Sequence, residues 1–425
     1  MKTVIINDKN IKNEINALRS ESEEKFSGIE NSVAEIIGNV KKFGDDALRD
    51  YTQKFDKVKI DDFKVSNEEI SAAVSNVSID IIEILHKAAE NIRQFHILQL
   101  PKNINLKKDG LELTQIYTPI ERVGVYIPGG NTVYPSTVLM NVIPAKIAGV
   151  KHISIATPPS QDCKVNDLIL AAAYISGADT IYKIGGAQAI AALAYGTESI
   201  DSVYKITGPG NAYVAEAKKQ VFGQVDIDMM AGPSEILIIA DEDANAEYIA
   251  ADLLSQAEHD VQAMSILVCL SKNTADKVLN EINKQLNNTP NGVRAKTALD
   301  DNGIIFIVKD LNTAFDISNE IAPEHLELLI NSPCDYLDRI KNAGSIFVGQ
   351  YSPEPAGDYF VGVNHTIPTC GKAKFASPLG TMDFIKHSNI IHYSKAGFLK
   401  DQHDIKAFAE AENFYFHANS IARRK

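Results

Sequence analysis

From Gly110 to Val308, short apolar runs alternate with helical runs, and this alternation limits the fold more than any other feature of the chain. The strand-like runs are Ile153–Ala156, Thr180–Ile184, Ser202–Ile206, Glu235–Ala240, Met264–Leu270 and Gly303–Val308. Between them lie helical runs such as Asn166–Ser176, Ala187–Tyr195 and Ala212–Val221. A strand apolar along its whole length is covered on both faces, and the intervening helices are the crossovers that parallel pairing requires. The pattern predicts an α/β fold with mostly parallel sheets. Two further strands precede it, the alternating Leu111–Tyr117 and then Arg122–Ile127.

The flanks read as helical. Residues 1 to 24 are polar, with a charged joint at Glu21-Ser22-Glu23-Glu24, and form a peripheral helical arm. Val33, Ile36, Ile37, Val40 and Phe43 recur at helical spacing, and Gly44-Asp45-Asp46 restarts a helix through Ala47, Leu48 and Tyr51. Asn67 to Leu100 is a long helical region stopped by Pro101. Residues 379 to 425 read as a helical tail with apolar positions around Ile385, Ile390, Phe398, Phe408 and Phe414. A chain of 425 residues has room for two or more domains.

Charge and composition narrow the partners. The formal net charge is -13, and the one basic run is Arg423-Arg424-Lys425, which argues against nucleic acid and for a small molecule. No apolar stretch approaches the roughly 20 residues of a membrane helix. The start, Met1 to Asp8, has no apolar signal-peptide core, so the expected location is the cytoplasm. Cys163, Cys269, Cys334 and Cys370 are scattered and read as free, mostly buried thiols.

In open α/β sheets ligands bind beyond the carboxyl ends of the strands, so glycine turns after strands are candidate sites. Three stand out: Pro128-Gly129-Gly130, Gly185-Gly186-Ala187-Gln188 and Gly208-Pro209-Gly210-Asn211. They suit close approach to a ligand, and equally the tight βα turns that need glycine anyway. The third opens as G-x-G but has Tyr213 where a dinucleotide fingerprint carries glycine. Ser234, in Gly232-Pro233-Ser234-Glu235, is a turn cap or a ligand contact. Gln256 and His259, three residues apart, share one helix face and suit a common cation, or form the polar end of a surface helix. Glu324-His325 follows Pro323 and supplies a carboxylate and an imidazole, the usual equipment of acid/base catalysis. Pro355 to Thr369 is dense in Gly, Pro, Asp, Asn and His and reads as an ordered loop.

Taken together these runs resemble histidinol dehydrogenase. The resemblance rests on Gly124-Val125-Tyr126-Ile127-Pro128-Gly129-Gly130, Gly208-Pro209-Gly210-Asn211-Ala212-Tyr213-Val214 and Ala231-Gly232-Pro233-Ser234-Glu235. It continues through Ser255-Gln256-Ala257-Glu258-His259, Ala322-Pro323-Glu324-His325-Leu326-Glu327, and Gly357-Asp358-Tyr359 with Asn364-His365, and spans about residues 30 to 420. It implies oxidation of L-histidinol through L-histidinal to L-histidine with two NAD, a bound zinc, and a homodimer with sites shared between chains. The implied zinc ligands are Gln256, His259, Asp358 and His417, and the implied bases are Glu324 and His325. Substrate contacts fall on Ser234, Gln256, His259, His325, Asp358, His365, Glu412 and His417. Cofactor contacts fall on Tyr126, Gln188 and Asn211. The tail departs from the family pattern, with Asn413 where glycine is usual and Phe414, Tyr415 and Phe416 beside it.

The resemblance also implies two incomplete Rossmann-like domains. The expected division is an arm over 1–24, a main domain over 25–125 and 235–378 that carries the metal and catalytic residues, an NAD domain over 126–234, and a tail over 379–425. Two rival functions use parts of the same set. A zinc hydrolase keeps the metal ligands without nicotinamide contacts, and a non-catalytic metabolite-binding protein keeps the pocket glycines without Glu324 and His325.

Overall fold

The computed structural model describes residues 1–6, 28–130, 132–230, 232–287 and 289–425. Its strands, in chain order, are β1 (Lys2–Ile5), β2 (Ile104–Lys108), β3 (Leu111–Pro119), β4 (Arg122–Tyr126), β5 (His152–Thr157), β6 (Thr180–Lys183) and β7 (Lys205–Thr207). The chain continues with β8 (Asp226–Ile227), β9 (Glu235–Ala240), β10 (Met264–Cys269), β11 (Ile304–Ile307), β12 (His325–Leu329), β13 (Ser345–Val348) and β14 (Ile385–Tyr393). They build a five-stranded sheet ordered β6-β5-β4-β7-β8 and a six-stranded sheet ordered β1-β11-β10-β9-β12-β13. Both are parallel throughout, as the alternation predicts. The third sheet, β14-β3-β2, is antiparallel.

The apolar runs end where burial is complete. Every residue of β9 is buried, and Ile236, Ile238, Leu267 and Ile305 meet the helix Ala246–Ala257 on one face of its sheet. On the five-stranded sheet, the alanine-rich helix Gly186–Tyr195 is sandwiched between strands and the helix Glu30–Phe55. That outer helix breaks at Gly44, whose φ of 50° frees the Asp45 N–H to reach the Glu198 carboxylate at 2.8 Å. With φ 50° and ψ -128° this residue sits where an L side chain is strained, so the backbone of the restart favours glycine.

Several expectations change. The first residues do not begin a helical arm: Lys2–Ile5 adds an edge strand beside β11. Residues 7–24 of the expected arm lie outside the described residues. The region Asn67 to Leu100 is two helices, Asn67–Asn76 and Ile79–His96, because Ser78 caps a fresh start. The tail is not helical throughout, since Ile385–Tyr393 pairs along the whole of β3 before the helices Lys395–Ala411 and Tyr415–Ala422. Of the four thiols only Cys269 is buried. β4 lies in the five-stranded sheet, and the helices Glu30–Phe55, Asn67–Asn76 and Ile79–His96 pack on that sheet's layers.

Candidate active site

The Glu324-His325 pair sits where the helix Leu311–Ile321 turns into β12. Ala322 makes that turn in the left-handed region, at φ 54°, a conformation that costs an L-residue about 1–2 kcal/mol. β12 lies beside β9, and the first residue of β9 clamps both side chains. The Glu235 N–H donates to Glu324 Oε2 at 2.8 Å, and the Glu235 carbonyl lies 2.9 Å from His325 Nδ1. Only a protonated Nδ1 can bond a carbonyl, so Nε2 of the neutral ring carries the lone pair.

Nε2 has no hydrogen-bond partner and stands 3.9 Å from Glu354 Oε1 and 4.0 Å from Asp358 Oδ1. Burial pulls the His325 imidazole down to about 4, with the Asp358 charge opposing, so the ring is neutral at physiological pH. Burial raises the Glu324 carboxyl well above the usual carboxylate range, and the charges of Glu235 and Asp358 push the same way. Two adjacent residues thus hold a neutral imidazole and a carboxyl of raised basicity, both fixed by backbone rather than by mobile side chains.

A donor cluster faces Nε2. The helix Ala246–Ala257 ends one residue after presenting Gln256, which is fully buried with neither amide atom partnered. His259 lies in the turn beyond the helix, not on it, and its N–H returns to the Gln256 carbonyl at 3.2 Å. The short helix Glu354–Tyr359 places Glu354 and Asp358 four residues apart on one side. Ligand-capable atoms of His259, Glu354 and Asp358 all lie within 4.8 Å of one another. His365 stands behind Asp358, its Nδ1 3.0 Å from the Asp358 carbonyl and its Nε2 3.3 Å from Thr137 Oγ1. Ser234 is half-buried immediately before Glu235, and its carbonyl takes the Met264 N–H at 2.9 Å.

Glu354 is the functional candidate that sequence reading missed. It stands in Ser352-Pro353-Glu354-Pro355, which looks like a solvent loop, yet it is 1% exposed. Its N–H donates to Glu327 Oε1 at 2.7 Å, Ser255 Oγ donates to its Oε2 at 3.3 Å, and Oε1 is unpartnered. Burial, then the Asp358 charge, drives its carboxyl up to about 10. Imidazole nitrogen, amide oxygen and carboxylate oxygen form a mixed set that suits a borderline divalent ion. The unpartnered atoms of Gln256 and Glu354 show that these residues fit a cation, and the spacing Glu354-x-x-x-Asp358 was the available signal.

The cofactor candidates converge elsewhere. Tyr126, Gln188 and Asn211 line one cavity of about 1080 Å³ beyond the carboxyl ends of the five-stranded sheet. The Gly186 N–H donates to Tyr126 Oη at 3.0 Å, and burial pushes that phenol up to about 12. Gln188 Oε1 is buried and unpartnered. Asn211 caps the helix Ala212–Val221 by taking the Val214 N–H at 3.1 Å. Gly208 stands at φ 106°, and a Cβ there would lie 2.1 Å from the Tyr126 carbonyl oxygen, so the turn into Asn211 admits glycine alone.

Glu412 and His417 stay out of this assembly within one chain. Both are exposed, Glu412 at the end of the helix Lys395–Ala411 and His417 with its ring 5.1 Å from that of Phe414. Around them Phe408, Phe414 and Phe416 are also exposed.

Fold and site together define an α/β protein built for acid/base chemistry, with an acid/base pair and donor cluster on one sheet and a large cleft on the other. Comparison with known proteins agrees. The family model described as histidinol dehydrogenase matches residues 19–425. Histidinol dehydrogenase of Listeria monocytogenes is 51% identical over 397 residues, 93% of each chain. That of Clostridium acetobutylicum is 50% identical over 390 residues, 92% of this chain and 90% of its own. The crystal structure of histidinol dehydrogenase from Elizabethkingia anophelis superposes with a TM-score of 0.93 at 39% identity, covering 100% of this chain and 98% of that one. The chain belongs to the histidinol dehydrogenase family.

Proposed function

We propose that the chain carries out the zinc-dependent, NAD-linked, four-electron oxidation of L-histidinol through L-histidinal to L-histidine, the last steps of histidine biosynthesis. The observation that carries this reading is the clamp of Glu235 on Glu324 and His325, which aims a bare imidazole nitrogen at a metal-capable cluster. Zinc would be held by Gln256, His259 and Asp358, with His417 from the second chain of a cytoplasmic homodimer and Glu354 alongside. When bound it would anchor the substrate's imidazole and amine, a positioning role.

His325 Nε2 takes the hydroxyl proton in the first oxidation. The Nδ1–H bond to the Glu235 carbonyl stabilises the imidazolium that forms. A bound dinucleotide would supply the hydride acceptor that each oxidation needs. Glu324 draws a proton from water as it adds to the aldehyde while the His325 imidazolium returns its proton to the aldehyde oxygen, giving a gem-diol that the now neutral His325 deprotonates in its turn. Ser234, His365 and the second chain's Glu412 orient the substrate. Holding the aldehyde in one site prevents loss of a reactive intermediate. Tyr126, Gln188 and Asn211 bind the dinucleotide in a cavity whose volume suits it.

The test is NADH yield from limiting histidinol. Two NADH per histidinol, with histidine as product, is expected. One NADH with free histidinal accumulating would reject the single-site reading. Chelation should abolish turnover and zinc should restore it, whereas full turnover by protein shown to be metal-free would reject the metal's role.

A further inference from the structure

The helix Glu30–Phe55 ends at Asp56, which lines the same cavity as Tyr126, Gln188 and Asn211 and has no role in the scheme above. Asp56 Oδ2 is shut off from solvent and has no hydrogen-bond partner. Gln188 Oε1, on a side chain 1% exposed, is in the same state. Buried acceptors without donors are rare in folded proteins, and two lining one cavity call for a ligand that brings donors. Burial pushes the Asp56 carboxyl up to about 6, so at neutral pH it is ionised but poorly solvated, and incoming donors relieve it.

Among the described residues, the charged side chains that line the cavity are Glu35, Lys54 and Asp56. The Lys54 ammonium lies over the rings of Phe55 and Tyr51, at 5.3 and 6.0 Å, and two carboxylates face this one cation among the described lining residues. None of Ser234, Gln256, His259, Glu324, His325 or Asp358 lines it. On the NAD-linked reading, on which this inference rests, the half of the dinucleotide seated here is therefore the unreactive adenosine half.

We propose that the Asp56 carboxylate accepts hydrogen bonds from the ribose diol of that half and so selects a dinucleotide without a 2′-phosphate. In dinucleotide-binding sheets an acidic residue does this work from within the βαβ unit. Here the carboxylate arrives from a helix packed outside the sheet. A 2′-phosphate would bring a second anion against it, where little water remains to screen the repulsion.

Asp56→Asn and Asp56→Ser test this in the full chain, with ADP-ribose and 2′-phospho-ADP-ribose as calorimetric probes and kcat/KM for NAD and NADP alongside. Wild type is expected to bind ADP-ribose and to discriminate against the phosphorylated probe. Both variants should bind ADP-ribose about 10- to 100-fold more weakly, the scale of a lost charge-assisted hydrogen bond. Their preference for NAD over NADP should fall by about tenfold or more. Unchanged ADP-ribose affinity in folded variants of an enzyme that still reduces NAD overturns the assignment and leaves the NAD-linked reading intact. A wild type that neither binds ADP-ribose nor reduces NAD overturns both.

Discussion

Lys218→Met should destabilise the protein by about 3–5 kcal/mol, because it strands a buried carboxylate. The Lys218 and Asp228 side chains are 2% and 1% exposed and form an ion pair. Lys218 Nζ also donates to the Gly208 carbonyl at 3.0 Å, while Asp228 Oδ2 takes the Gly208 N–H at 2.7 Å and Oδ1 the Met229 N–H at 2.6 Å. The pair thus grips both backbone groups of the glycine that opens the turn into Asn211. Without the ammonium, two amide donors remain to face a full negative charge away from water. Unfolding entropy of about 2.1 cal/mol/K per residue gives about 0.9 kcal/mol/K for the chain, so the expected fall in Tm is about 3–6 °C. Asp228→Asn leaves an unpaired buried ammonium and should cost a similar amount. The double variant removes both charges and should cost clearly less than the two single losses added, by about 2 kcal/mol or more. Urea unfolding of the four proteins measures this cycle. A Lys218→Met loss below about 1 kcal/mol, or strictly additive single losses, would refute the claim that this pair is buried and mutually dependent.

Glu324→Gln and His325→Asn should each lower turnover by roughly 10²-fold or more with bound zinc nearly unchanged, measured by steady-state rates and metal analysis. If Glu324→Gln altered zinc content alone, Glu324 would belong with the metal donors. Mixing His259→Asn chains with His417→Asn chains should restore roughly a quarter of wild-type activity, since half the dimers are mixed and each has one intact site of two. No recovery despite proven subunit exchange excludes the shared site. Burial, then Asp252, pushes Glu327 up to about 9, against about 4.3 in an unfolded chain. Between these values the folded state binds the extra proton, so the stability from Glu327 is present at low pH and is lost as pH rises towards about 9, by up to about 1.4 kcal/mol per unit. Glu327→Gln should flatten this decline in urea unfolding at several pH values, and equal slopes in both proteins would contradict it.

What the sequence made legible follows from where burial is two-sided. β9, β10 and β11 are apolar because both faces are covered, and their composition announces them. The break at Gly44 was legible because glycine and two aspartates interrupt a clear helical period. β12 was not, since His325 and Glu327 are charged or polar residues buried in a strand, and composition alone assigns them to a loop. β14 hid for the opposite reason. It pairs with β3 alone, most of its residues are exposed, and Lys386, His387, Ser388 and Asn389 carry no burial signature. β1 is a short edge strand whose partner lies some 300 residues away, and only tertiary pairing reveals it.

The site was readable as residue types but not as an arrangement. Glu324 and His325 suggest acid/base chemistry, yet adjacent residues on a strand point to opposite faces. What makes them one device is Glu235, whose backbone offers an N–H to one and a carbonyl to the other. No property of the Glu235 side chain advertises that service, because it depends on β9 and β12 lying side by side in register. The same holds for Glu354, which proline on either side disguises as loop and which the short helix turns inward beside Asp358. Glu412 and His417 complete the logic from the other direction. Their types suit the site, but in one chain they lie exposed among aromatic residues on a tail tethered through β14. On the proposed shared site, a second copy of the chain would both bring His417 to the buried cluster and cover this apolar surface.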